Sequence, residues 1–116
     1  MGDKTLMMTM LLDFYGELLT EKQRSCFNMH YNEDLSLSEI ADIMKISRQG
    51  VHDLIARAEA ALVETEEKIG VVRRFSERRV IYDKMEDELK ELEQITDGRA
   101  RELAEKLSTE LESVRT

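Results

Sequence analysis

Four polar side chains at the start of one predicted helix, Arg48, Gln49, His52 and Asp53, are the residues of this sequence best suited to reading another molecule. Arg48 carries a planar fork of N–H donors that fits a guanine edge or a phosphate, and Gln49 beside it can exchange two hydrogen bonds with adenine. His52 and Asp53 fall one turn further along. Ser38, near the start of the preceding short helix, could meet a phosphate through its hydroxyl and the neighbouring backbone N–H groups. A short helix, a three-residue turn and a longer helix together place the start of the second helix in the DNA major groove. The same pattern admits a plainer reading, a three-helix packing unit in which Arg48 and Gln49 are solvated first-turn residues.

A second set is basic. Arg73, Arg74, Arg78 and Arg79 form the one dense cationic cluster, with Glu77 the only acid among them. Arg74 and Arg78 are four apart and share a helix face, and Arg73 stands in the same relation to Glu77. Such a patch suits the phosphates of DNA or RNA, and suits equally the carboxylates of the chain's own C-terminal part. Little else points to chemistry on a substrate. His30 and His52 are far apart and lack companions at metal-ligand spacing. Cys26 stands alone and reads as a small buried hydrophobe. No glycine-rich phosphate loop or nucleophile elbow occurs. No metal, no cofactor and no enzymatic activity are expected.

At 116 residues the chain can bury one compact core with an extended segment beside it. Proline is absent and aromatic residues make up only 5%, whereas Leu, Glu, Lys, Met and Ala hold helical backbone angles at little entropic cost, so an all-α fold is expected. Charged residues reach 36% beside 41% hydrophobic, a pairing that suits long solvated helix faces rather than general disorder. The net charge of -8 opposes nonspecific attraction to nucleic acid. Between Ser36 and Glu64, three basic residues (Lys45, Arg48, Arg57) stand against five acidic ones (Glu39, Asp42, Asp53, Glu59, Glu64), a formal charge of -2. Such a module gains little from counterion release and would hold DNA weakly as a single copy. The lone cysteine suits a reducing cytosol. The apolar run from Leu6 to Leu12 lacks a basic leader and is cut short by Asp13, so neither an export signal nor a membrane anchor is expected.

The elements that must position these side chains follow from periodicity and capping. Asp3 can cap a first helix whose stripe is Met7, Leu11, Phe14 and Leu18. Met7, Met8 and Met10 read mainly as core filler, with an adaptable partner-binding surface as the alternative. Thr20 with Gln23, and Ser36 with Glu39, have the spacing of capping boxes. The first opens a helix to about Tyr31, with Cys26, Phe27, His30 and Tyr31 inward. The second opens a two-turn helix with Leu37, Ile40, Ala41 and Met44 inward. Lys45 and Ile46 make the turn, and Ser47 caps a helix that buries Val51, Leu54, Ile55, Ala58 and Leu62. Gly70 is the expected boundary, dividing a helix-turn-helix domain (1–69) from a helical tail (70–116). In the tail, Val72, Phe75, Arg79, Tyr82, Met85, Leu89, Leu92 and Thr96 step by three and four. Asp97-Gly98 then stops that helix, and Ala100, Leu103, Leu107, Leu111 and Val114 mark a last one. Both stripes are narrow, so the tail is expected to pack on itself, on the first domain or on a second copy. Phe75, Tyr82, Met85, Leu89 and Leu92 are its candidate dimer or partner interface, and a homodimer is expected.

The runs Leu19-Thr20-Glu21-Lys22-Gln23-Arg24, Tyr31-Asn32-Glu33-Asp34-Leu35-Ser36-Leu37-Ser38-Glu39-Ile40-Ala41 and Ile46-Ser47-Arg48-Gln49-Gly50-Val51-His52-Asp53 resemble sigma factor region 4. Together with Leu12-Asp13-Phe14-Tyr15-Gly16 they more closely resemble the YlxM family of small bacterial helix-turn-helix proteins. That resemblance covers about the first 70 residues, the tail agreeing in length and helical character more than in motif. It implies a sigma-region-4-like all-α bundle without a wing, and a regulatory role in the signal recognition particle pathway, because the family's genes neighbour those of the particle's GTPase and its receptor. The implied partners are DNA or the particle's RNA, and the GTPase or its receptor. Arg48, Gln49 and His52 take the places of sigma-like base readers, while Gly50 and Asp53 depart from the basic or polar residues usual there. A sequence-specific transcription regulator is the alternative.

Overall fold

The computed structural model describes residues 2–115, the side chain of Asp3 excepted. The architecture is all-α: α1 (Gly2–Tyr15), a single 3-10 turn (Gly16–Leu18), α2 (Glu21–Tyr31), α3 (Leu37–Met44), α4 (Arg48–Ile69), α5 (Val71–Ile95) and α6 (Gly98–Arg115). There is no strand among the described residues. Two compact units divide between Val72 and Arg73.

Local chemistry explains why the helices start where they do. Thr20 Oγ1 accepts from the Gln23 N–H while Gln23 Oε1 accepts from the Thr20 N–H, and Ser36 with Glu39 repeats the exchange. Each box satisfies two backbone donors that a helix start leaves orphaned. Ser47 does the simpler version, its Oγ accepting from the Gly50 N–H at 2.9 Å. Helix α3 ends on Lys45 in the left-handed region (φ 57) and α4 on Gly70 (φ 67), where the absent Cβ removes the usual penalty. The expected cap at Asp3 falls inside α1, which already starts at Gly2, and its side chain is outside the described set.

The Ser36–Glu39 box has a pH signature. Hydrogen bonds from the Ser36 backbone and then its side chain hold the Glu39 carboxyl below its ordinary pKa. A carboxylate lowered in this way stabilises the fold above the unfolded value of about 4.3, and that contribution is lost as pH falls through the lower folded value. Ser36→Ala should cost about 1 kcal/mol in urea denaturation at neutral pH. Glu39→Gln, which keeps an acceptor but does not titrate, should show a shallower loss of melting temperature between neutral pH and pH of about 3. An acid limb identical to that of the parent would remove this role.

The core of the first unit has two parts. Met8, Leu11, Tyr15, Leu19, Phe27, Ala58, Leu62 and Val72 bring together α1, α2, α4 and the first turn of α5. Cys26, Ile40, Ala41, Val51 and Ile55 join α2, α3 and α4. Tyr31 packs against both. The α4 stripe is as the spacing predicts, with Val51, Ile55, Ala58 and Leu62 buried and Leu54 half-buried. The α1 stripe is not. Met7, Phe14 and Leu18 are exposed, Leu18 by 67%, and the buried residues are Met8, Leu11 and Tyr15. The reason is polar as well as apolar. Tyr15 Oη donates to Glu66 Oε1 at 2.7 Å and accepts from the Val71 N–H, while Glu66 Oε1 also accepts from the Val72 N–H. Two orphan donors at the start of α5 are thereby satisfied from α1 and α4. With Met8 buried, a contiguous Met7, Met8 and Met10 surface does not form.

Cys26 is buried against Met44, its Sγ directed at the Met44 Sδ, and burial pushes the thiol pKa up. This is the opposite of what a reactive thiolate requires.

Candidate nucleic-acid and partner interface

The turn from Lys45 to Ser47 sets α4 across α3, and Val51, Ile55, Ile40 and Ala41 bury the crossing. Gly50 lies on the capping side of α4. A Cβ there would sit 3.1 Å from Ser47 Oγ and 3.7 Å from Ile46 Cδ1, so glycine lets the cap close over the first turn. Another face of the helix start is open: Arg48, Gln49, His52 and Asp53 are all exposed, as is Ser38 on α3. The structure therefore brings the four candidate readers onto one exposed face over the first two turns of α4, with Ser38 on the helix before it.

Their electrostatics are less simple than their positions. Gln49 Nε2 donates to Asp53 Oδ1 at 3.0 Å, and His52 Nδ1 lies 3.7 Å from the same oxygen. The amide that could pair with adenine is thus engaged within its own helix. A hydrogen bond of this spacing is worth only about 0.2–0.5 kcal/mol and would yield readily to a base. The carboxylate charge would not. Two like charges about 7 Å apart repel by roughly 0.6 kcal/mol in water and 2.4 kcal/mol at a protein surface, so the Asp53 charge outweighs the bond it makes.

The second unit is a hairpin of α5 and α6. Here too the buried line differs from the expected one. Ala104 and Leu111 are buried and Ser108 half-buried, whereas Ala100, Leu103, Leu107 and Val114 are exposed. Arg115 ties the end of α6 to α5, its guanidinium donating to Asp83 and, at 2.7 Å, to Glu86. Among the expected interface residues, Phe75, Tyr82 and Leu89 are half-buried and Met85 and Leu92 exposed.

What remains uncovered is a groove. Met85, Leu89 and Leu92 of α5 and Leu107, Leu111 and Val114 of α6 line it, with Glu88 and Glu110 the polar members, and it encloses about 450 Å³. Residues Leu107, Leu111, Val114 and the two glutamates were not among the sequence candidates. The first three belong to the α6 stripe that the spacing predicts, although the interface candidates come from α5 alone. Of the four arginines, all exposed, Arg73 lies 3.9 Å from Glu77 through its Nε, the spacing the sequence suggests. Among the described residues no group of three or more His, Cys, Asp and Glu side chains is disposed to hold a metal ion, and no helix is long and apolar enough to cross a membrane.

Comparison with known proteins agrees with this geometry. A family model described as "Putative helix-turn-helix protein, YlxM / p13 like" matches residues 2–108. A UPF0122 protein of Thermoanaerobacter sp. (strain X514) is 43% identical over 115 residues, covering 98% of both chains. One from Caldanaerobacter subterraneus subsp. tengcongensis is 49% identical over 87 residues, 75% of this chain and 74% of its own. One from Listeria innocua is 44% identical over 89 residues, 77% and 81% of the two chains. The match extends well into the hairpin, beyond the segment whose motifs carry the resemblance, and this chain belongs to UPF0122, the YlxM / p13-like family of helix-turn-helix proteins.

Proposed function

We propose that this chain is a non-enzymatic regulator of the signal recognition particle pathway that works by binding the particle's GTPase or its receptor. The pathway comes from the family. The preference for a protein partner over duplex DNA rests on one observation, the exposed Asp53 carboxylate one turn into α4, where it engages Gln49 and stands beside His52. An acid at that position repels phosphate but can meet a lysine or arginine on a protein. The hairpin supplies a further contact surface, and the cytosol is the compartment this role requires.

A second reading, a sequence-specific transcription regulator, is favoured by the exposure of Arg48 and Gln49 at the reading positions. Immobilised full-length chain incubated with cell extract, at low and at raised salt, separates the two. Retention of the GTPase or receptor is the expected result, and retention of neither would overturn the proposal. The double substitution of Arg48 and Gln49 by alanine should leave that retention within about threefold, because each is one rim side chain among many. Under the transcription reading it should abolish DNA binding.

A further inference from the structure

The groove of the hairpin has an apolar floor and an acidic rim. Three side chains of α5, Met85, Leu89 and Leu92, and three of α6, Leu107, Leu111 and Val114, form the floor. From Met85 to Leu92 the α5 wall runs about 10 Å, two helical turns. That length fits the i, i+3 or i+4, and i+7 anchors of a helix laid into a groove. A small molecule fits poorly, because the groove offers no converging hydrogen-bond donors and only two carboxylates as polar partners.

The charges choose among helical occupants. The hairpin carries more acids than bases, and only some of its carboxylates are matched within it, among them Asp83 and Glu86 by Arg115, Glu102 by Arg99 and Glu105 by Arg101. Glu88 and Glu110, which flank the floor, make no ion pair among the described residues. A second copy of this chain, docked groove to groove, would bring its own Glu88 and Glu110 to the same rims and add like-charge repulsion. A helix with lysine or arginine beside its apolar stripe would neutralise them.

We infer that the α5–α6 groove is a docking site for a basic amphipathic helix of a partner protein, held by its apolar stripe on the six-residue floor and by its cations at Glu88 and Glu110. This rests on the reading of the chain as a protein-binding regulator and names the chemistry of what it binds.

The test uses the full chain and two fluorescein-labelled synthetic helices of about 18 residues, both with leucine at heptad-like spacing, one with lysine and one with glutamate at the remaining positions. Fluorescence anisotropy should show binding of the lysine helix and none of the glutamate helix. A lysine peptide with scrambled leucines should bind at least tenfold more weakly. Glu88→Lys with Glu110→Lys, and separately Leu107→Asp, should each weaken the lysine helix by about tenfold or more. Leu107 is an exposed position, so both variants should keep the parent's circular dichroism and melting temperature. Equal affinity for scrambled and striped lysine peptides, or unchanged affinity of both groove variants, would overturn the site. So would a dimeric mass for the parent that becomes monomeric in Leu107→Asp, since that assigns the groove to a second copy. Failure of the peptide with continued retention of the GTPase or receptor removes the groove site alone. Peptide binding with no such retention removes the pathway assignment alone.

Discussion

Phe27→Ala is expected to destabilise the first unit by about 3–5 kcal/mol, the range for emptying a fully buried aromatic site. The Phe27 side chain is wholly shielded from solvent in the cluster that joins α1, α2, α4 and the first turn of α5. Its ring centroid lies 4.7 Å from that of Tyr31, which packs against both core clusters. Removing the ring therefore loosens the cluster directly and also unseats the residue that joins it to the other. Small domains have total stabilities near the lower end of about 5–15 kcal/mol, so the variant should be partly unfolded at physiological temperature. Urea denaturation followed at 222 nm gives the measurement, with Leu18→Ala as its partner. Leu18 is exposed and should cost less than about 1 kcal/mol. Equal costs at the two positions would mean that the stripe read from periodicity, and not the observed core, describes the packing of α1.

That comparison shows what the sequence could reveal. Capping boxes at Thr20 and Ser36, the Ser47 cap and the glycine at 70 were legible because each is a contact closed within a few residues, fixed by backbone geometry alone. The α4 stripe was legible because it has polar neighbours on both sides, which leaves one apolar face to bury. In α1 the apolar residues come in adjacent pairs, Met7 with Met8, Leu11 with Leu12, Phe14 with Tyr15, and periodicity does not choose between two stripes one residue apart. The choice is made by Glu66 and the N–H groups of Val71 and Val72, about fifty residues away along the chain. In α6 the sequence likewise offers two lines, and the buried one passes through Ala104 and Leu111 while Leu103 and Leu107 stay exposed. The ion pairs of Arg115 with Asp83 and Glu86 close the hairpin across about thirty residues and left no local mark. At the candidate interface the sequence revealed the position of Arg48, Gln49, His52 and Asp53. It did not reveal that Asp53 would hold Gln49.

Asp53→Arg is expected to turn a weak duplex binder into a measurable one. In the parent, the carboxylate accepts the Gln49 amide and places a negative charge on the face that would approach phosphate. The substitution removes that repulsion, frees the amide and adds a fork suited to phosphate. One added phosphate contact steepens the dependence of log affinity on log salt by about 0.9, equivalent to roughly eightfold tighter binding at 0.1 M than at 1 M salt. Loss of the parent's repulsion adds to this, so the affinity for a mixed-sequence duplex should rise by about tenfold or more at low salt, most of it disappearing at high salt. Asp53→Asn divides the two contributions. It removes the charge without supplying a cation, and should give a rise of a few-fold with little change in salt slope. Because Asp53 is exposed at the start of α4 and outside both core clusters, neither variant should alter the melting temperature by more than a few degrees. If duplex affinity is already high in the parent and insensitive to both changes, the carboxylate is not what keeps this helix from DNA. If Asp53→Asn weakens binding of the partner protein while strengthening that of the duplex, the same oxygen serves both ends, accepting a cation from the partner and refusing the phosphate of nucleic acid.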